Sequence, residues 1–361
     1  MPFRRRWKPL VQSTFIKITK ENKHSISYRG YRNLEKDSPI SCHLTCEAHT
    51  GFLKRLICIN SNKRNFSCST NSNMRFVQFK ALNGGPQRLG VQLSQDGDII
   101  DVSGVDSTIP NGLVQLLQAG PDLLDRTKRV VGESKSVVPL SQIRLLPPIT
   151  SPSKVVCVGL NYSGHCDEQN VPYPKEPVFF SKFSSCIVGP YDDVKYPSVT
   201  KALDWEVELA IVIGKTAKDV KPNEAIDHIF GFTVAQDITA RDWQKGRNGG
   251  QWLLGKSMDT FCPLGPAVVI KEAVGDINNL GIRSKINGVL KQEGRTSELI
   301  HKIDFIVSFL SHCVSLLPGD VILTGTPSGV GVFRKPQEFL KPGDVIESEI
   351  DGIGKMKNQV V

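Results

Sequence analysis

Two glutamates two residues apart inside an apolar run, in DWEVELAIVIG from Asp204 to Gly214, are the side chains of this sequence best placed for chemistry. Alternate residues of a strand share a face, so Asp204, Glu206 and Glu208 are expected on one side, about 7 Å apart from one to the next. Buried carboxylates that close repel one another unless they take up protons or surround a cation. Asp237, ending the next strand-like run GFTVAQD, offers a further oxygen. Glu206, Glu208 and Asp237 are therefore candidate ligands for Mg²⁺, with Mn²⁺ or Ca²⁺ possible, because hard oxygen donors suit these ions better than zinc. The competing arrangement has Arg241 neutralising Glu206 or Glu208 with no ion involved.

Further along the same logic, NYSGHCDE (Asn161 to Glu168) sets His165 and Glu168 three residues apart. One helical turn brings such a pair together, and the carboxylate can then orient the imidazole and stabilise its charge as a general base. The spacing also fits an ordinary solvated helix face. Its setting favours chemistry: an apolar strand precedes it, and Gln169 to Pro177 follows as a Pro-containing loop able to close as a lid. The segment QDITARDWQ adds Arg241 for an anionic carboxylate and Gln244 for a neutral polar group, while Asp242 reads as a local cap or pair. Lys256, in LGKSMDTFCPLGP, can stabilise a developing oxyanion or donate a proton, although the spacing alone equally suits a surface lysine at a turn. The glycine-rich LTGTPSGVG (Leu323 to Gly331) presents Thr326 and backbone amides to a substrate carboxylate. It lacks the Gly-Lys-Ser/Thr ending of a Walker loop, and Ser328 is not in a GxSxG elbow.

The elements that must hold these residues read as mostly strand. Residues 74–150 contain RFVQFKAL, LGVQL and DIIDV, then a helical stretch over Leu113 to Val131, and end in a Pro-rich linker with Pro147, Pro148 and Pro152. Residues 151–361 are short apolar strands divided by Gly and Pro turns, with a few helices, notably around Glu224 to Ile229 and Ser297 to Ser315. This pattern predicts an α+β, β-rich fold with a small N-terminal α+β domain, not an alternating parallel α/β sheet.

The net charge of +9 is carried by the first 73 residues, which hold 14 Lys and Arg against 4 Asp and Glu; residues 74–361 hold 31 against 32. A nearly neutral body argues against a nucleic-acid groove. No run of 18 apolar residues exists, so no membrane span is expected. The basic leader, opening with Arg4, Arg5 and Arg6 and rich in Ser and Asn, has the composition of a mitochondrial transit peptide, largely disordered, with cleavage near Ser67. That implies the mitochondrial matrix; a leader that is not used leaves the protein cytoplasmic. Cys42, His43, Cys46 and His49 lack the second half of a zinc knuckle. Cys157, Cys166, Cys186, Cys262 and Cys313 form no CxxC pair, which fits free thiols in a reduced compartment.

Taken in order, NYxxHxxE, DxExELAxVIG, QDxTARDxQ, the Lys256 turn and GTPxGVG resemble the fumarylacetoacetate hydrolase superfamily over residues 74–361, and within it the branch of domain-containing protein 2. The resemblance implies a mixed β-roll with few helices, assembled as a homodimer. It implies Glu206, Glu208 and Asp237 as metal ligands, His165 and Glu168 as the lid dyad, and Lys256 beside the metal; Tyr162, Arg241, Gln244 and Thr326 are the expected substrate contacts. The expected substrate is a small 2-oxo acid. Hydrolysis of a carbon–carbon bond in an acylpyruvate is the first expectation; oxaloacetate keto–enol tautomerisation or decarboxylation is the second, since all three pass through an enolate. A non-catalytic metabolite-binding homodimer is the expectation of a different class.

Overall fold

The computed structural model describes residues 73–134 and 136–361, together with two short strands nearer the N-terminus. Those strands, β1 (Ser25–Ser27) and β2 (His43–Thr45), pair antiparallel within a unit spanning Met1–Cys68. The leader, its cleavage at Ser67 and the side chains of the Cys42 to His49 cluster otherwise lie outside the described residues. The second unit, Ser69–Val361, holds every residue singled out above for chemistry.

Its strands are β3 (Arg75–Ala81), β4 (Arg88–Gln92), β5 (Ile99–Ile100), β6 (Ile143–Leu146), β7 (Val155–Gly159), β8 (Val178–Lys182), β9 (Ile187–Val188), β10 (Leu203–Asp204), β11 (Val207–Ile213), β12 (Ile229–Gln236), β13 (Thr239–Ala240), β14 (Cys262–Ile270), β15 (Gly281–Ile286), β16 (Val289–Arg295), β17 (Val321–Leu323), β18 (Val345–Ile350) and β19 (Gly354–Gln359). Its helices are α1 (Val102–Val105), α2 (Leu113–Ala119), α3 (Pro121–Glu133), α4 (Ser163–Gln169), α5 (Arg241–Gly246), α6 (Trp252–Lys256) and α7 (Ile303–Cys313). A large mixed sheet runs in the order β5-β4-β3-β14-β12-β11-β17-β7-β8, with β6 on β3 and β9 on β14. Pairing is antiparallel except for β17 with β7 and β9 with β14. A second sheet, β16-β15-β18-β19, is antiparallel throughout. The β-rich α+β expectation holds.

The apolar run VELAIVI explains the layering. Every residue of β11 is buried, so the strand needs cover on both faces. Val207, Leu209, Ile211 and Ile213 face one core, shared with Ile282, Ile350 and Met356 of the second sheet and with Ile306 and Leu310 of α7. Ala210 and Val212 face another, shared with Phe76, Cys157 and Val268. Gln236 ties the two sheets by donating to Ser284 Oγ (3.2 Å) and Ser348 Oγ (3.0 Å).

The helical stretch read over Leu113 to Val131 is two helices, because Gly120, at φ 94°, ends α2 before Pro121 opens α3. Around Glu224 the chain forms a 3₁₀ helix, Pro222–His228. Pro147, Pro148 and Pro152 fall in the irregular segment between β6 and β7. Across that segment β3 is hydrogen-bonded to β14, Phe76 opposite Val268. The N-terminal strands thus extend the main sheet. The five cysteines of this unit carry free thiols.

Candidate active site

The acidic run is interrupted before β11. β10 ends at Asp204 and β11 begins at Val207, so Trp205 and Glu206 sit in a break and strict alternation fails there. Glu206, Glu208 and Asp237 converge: each offers a carboxylate oxygen within 4.8 Å of the others, and all three are buried. Asp204, expected on the same face, turns away. It accepts hydrogen bonds from the amides of Trp205 (2.8 Å), Gly331 (2.7 Å) and Val332 (3.0 Å) and from Arg241 Nε (2.8 Å). Asp204 is thereby the anchor of the glycine-rich turn, and it has no place in the acidic cluster.

The cluster is unevenly compensated. Lys256 Nζ lies 2.8 Å from Glu206 Oε2 and 2.6 Å from Asp237 Oδ2. Lys182, ending β8, lies 2.6 Å from Asp237 Oδ1. Arg241 Nη2 is 2.7 Å from Glu206 Oε1. Burial works against the Glu206 charge, but Lys256 and then Arg241 outweigh it and hold this carboxyl well below the usual range. Among the described residues Glu208 accepts only the Gly325 amide, at 2.7 Å. Burial, with Asp237 and Glu206 adding repulsion, pushes its carboxyl well above the usual range. One buried carboxylate without a counter-charge, beside two others offering oxygens, is a donor set that suits a hard divalent cation. The residues present therefore fit the ion, even though Arg241 does neutralise Glu206 as the competing arrangement supposed.

On α4, His165 Nδ1 and Glu168 Oε1 are 2.5 Å apart, and Glu168 Oε2 accepts the Gly329 amide at 2.8 Å. The imidazole is thus held through Nδ1, leaving Nε2 as its free nitrogen. The turn from Thr324 to Val332 serves three carboxylates at once: Gly325 N–H holds Glu208, Gly329 N–H holds Glu168, and the Gly331 and Val332 amides hold Asp204. Glycine is required at Gly329, where φ is 103° and a Cβ would stand 2.1 Å from Lys291 O.

His165, Glu206, Glu208, Arg241, Gln244, Lys256 and Thr326 line one cavity of about 90 Å³, with Val158, Phe180 and Trp252 forming its apolar side. Gln244 accepts from Arg241 Nη1 at 3.0 Å, leaving its amide N–H groups free. Thr326 Oγ1 donates to Val207 O (2.9 Å) and accepts from Gln292 (2.7 Å). Tyr162 is not among the residues lining the cavity: it is fully buried in the core shared with Val207 and Leu209, its hydroxyl has no hydrogen-bond partner among the described residues, and burial pushes its phenol up. Lys182 was missed in the sequence. Its only signal is a charged residue closing the strand VFFSK, and Lys182 itself turns out to be fully enclosed although Ser181 beside it is exposed.

The sequence matches the family model described as fumarylacetoacetate (FAA) hydrolase C-terminal over residues 154–361. It is 48% identical over 308 residues to a human protein named oxaloacetate tautomerase FAHD2A, mitochondrial, covering 85% of this chain and 98% of that one. Among solved structures it resembles a fumarylacetoacetate hydrolase from psychrophilic Exiguobacterium antarcticum, with TM-score 0.68, 36% identity, and coverage of 80% of this chain and 99% of that one. It also resembles the maleylpyruvate hydrolase of Sphingobium sp. SYK-6 in complex with manganese(II) ion and pyruvate, with TM-score 0.66, 29% identity, and coverage of 80% and 99%. The mixed sheet, the candidate catalytic groups gathered at one cavity and these likenesses agree: this chain is an enzyme of the fumarylacetoacetate hydrolase family.

Proposed function

We propose that the protein catalyses keto–enol tautomerisation of oxaloacetate with Mg²⁺, or Mn²⁺, held by Glu206, Glu208 and Asp237. One observation carries this reading: of three converging buried carboxylates, Glu206 and Glu208 line a cavity that is also lined by His165, the imidazole held by Glu168. The ion, when bound, supplies Lewis acidity that favours loss of a proton next to the keto group.

The chain's own residues do the rest. Glu168 keeps the Nδ1 side of the imidazole occupied, so Nε2 is the nitrogen that exchanges protons with substrate. His165 Nε2 takes the proton from C3 as the C2=C3 double bond forms, and the same proton is returned to the C2 oxygen to give the enol. The reverse sequence restores the ketone. Lys256 and Gln244 orient the oxygens, and Phe180 and Trp252 keep that wall dry.

Carbon–carbon hydrolysis of an acylpyruvate, the first expectation once the family resemblance is drawn, needs the same base to activate water. The relatives named as oxaloacetate tautomerases, at about half identity over most of this chain, favour tautomerisation. Their mitochondrial names support the same placement for this chain, directed by residues 1–73. A small N-terminal region up to about residue 150, joined to the rest through the shared sheet, and the homodimer belong to this proposal too.

Proton NMR of oxaloacetate with the protein and Mg²⁺ tests it. Faster keto–enol exchange without CO₂ or pyruvate release is the expected result. Cleavage of an acylpyruvate with no effect on exchange would move the protein to the hydrolases.

A further inference from the structure

Three cations line the cavity: Arg241, Lys245 and Lys256. Two are already committed. Arg241 is held by Asp204, Glu206 and Gln244, and Lys256 by Glu206 and Asp237. Lys245 has no carboxylate partner among the described residues. Its Nζ stands 4.2 Å from the centre of the Phe333 ring, whose other neighbour is the His165 ring at 6.0 Å between centroids. An aromatic face holds a cation in position while leaving its N–H donors free for an anion.

Position on the helix sets the reach. Arg241 and Lys245 are four residues apart on α5, hence on one face and about 6 Å apart along the axis. Arg241 is the buried end of that line and Lys245 is the exposed end, at the rim. A 2-oxo acid with its reacting end toward Glu206 and Glu208 and a second carboxylate at its far end would bring that carboxylate to the rim.

We propose that Lys245 is the specificity-determining residue that binds the second carboxylate of a dicarboxylic 2-oxo acid, so that the site selects diacids over monoacids. This rests on the oxo-acid reading given above. The charge balance supports it, because Lys245 is the cavity cation with no carboxylate in salt-bridge contact among the described residues, and such a cation beside low-dielectric walls attracts an anionic ligand group.

The test compares oxaloacetate with pyruvate, its monocarboxylic counterpart, on the full chain with Mg²⁺, using wild type, Lys245→Met and Lys245→Arg. Expected for Lys245→Met is a KM for oxaloacetate raised about tenfold, the size of one charge-assisted hydrogen bond, with a smaller change in kcat. The inhibition constant of pyruvate should stay within about twofold, and Lys245→Arg should recover most of the oxaloacetate affinity. An unchanged KM overturns the proposal. Equal weakening of both ligands also overturns it, and would assign Lys245 to holding Phe333 against His165. If wild type fails to interconvert oxaloacetate, the tautomerase reading falls separately. Lys245 is then judged by calorimetric affinities: a selective loss for oxaloacetate in Lys245→Met upholds it, and an unchanged ratio rejects it.

Discussion

Glu208 is the residue on which the acidic cluster turns, since Glu206 and Asp237 each face a buried lysine while Glu208 faces one amide. Replacing it by Gln keeps an oxygen for the Gly325 N–H and removes the charge repelled by its neighbours. Glu208→Gln should therefore melt at the same temperature as wild type or higher without metal, yet bind Mn²⁺ at least 100-fold more weakly, as read by calorimetry and thermal unfolding. A variant that binds Mn²⁺ normally would remove Glu208 from the site. The direction of its titration gives a second outcome. Its carboxyl is pushed above the usual range, so it holds a proton at lower pH, whereas a cation binds the ionised form. Metal affinity should consequently rise with pH, and binding should release a proton that Glu208→Gln does not release. Calorimetry in two buffers of different ionisation enthalpy measures this. His165→Ala, in contrast, should slow enol exchange about 10²- to 10⁴-fold with metal affinity intact, and loss of both together would argue against separate roles. At this scale the sequence was informative because carboxylate spacing and a His–Glu pair are local patterns. It did not reveal that Asp204 leaves the shared face, since nothing local marks the break at Trp205, nor that Lys182 is enclosed.

The glycine-rich turn is the element that makes two distant parts of the site depend on each other. Its amides hold Glu208 of β11, Glu168 of α4 and Asp204 of β10, so the metal cluster and the dyad share one backbone support. Asn161 reinforces that support: its side chain donates to Thr324 O at 2.7 Å and accepts from His301 N–H at 2.8 Å, fixing the start of α4 against the turn. Gly329→Ala introduces strain at positive φ and a Cβ against Lys291 O, a cost of at least about 1–3 kcal/mol. The turn must shift, and Glu168 loses its amide. We expect lowered denaturant stability, and proton exchange reduced more than Mn²⁺ affinity, because Gly325 still holds Glu208. The reverse ranking would show that the turn supports the cluster first. The sequence GTPSGVG marked this turn as a binding loop. Its larger role, as backbone ligand to three acids, depends on chain crossings of more than 100 residues that no local pattern encodes.

At the scale of the molecule, the question is whether residues 151–361, which carry every catalytic candidate, form a stable body alone. The prolines at 147, 148 and 152 suggest a boundary, and the family model begins only at residue 154. The hydrogen bonds argue for dependence. β3 pairs with β14 at Val268 and Val269, and without β3 that end of β14 exposes unpaired amides and carbonyls inside a largely apolar layer. Phe76 is fully buried, with its ring 5.2 Å from that of Phe230, and Arg75 donates to Gly352 O at 3.0 Å beside the final hairpin of β18 and β19. The linker is thus a covalent feature with little mechanical independence. A chain of residues 154–361 should be insoluble or unfolded, while residues 73–361 should fold and bind Mn²⁺. Phe76→Ala within the longer chain should cost about 3–5 kcal/mol of stability, because a buried ring is replaced by a cavity in the shared core. Guanidinium titration followed by circular dichroism reads both. If residues 154–361 fold with a sharp transition and Phe76→Ala loses less than about 1 kcal/mol, the N-terminal strands are an accessory to the catalytic body; a single cooperative transition lost in the fragment makes them part of it.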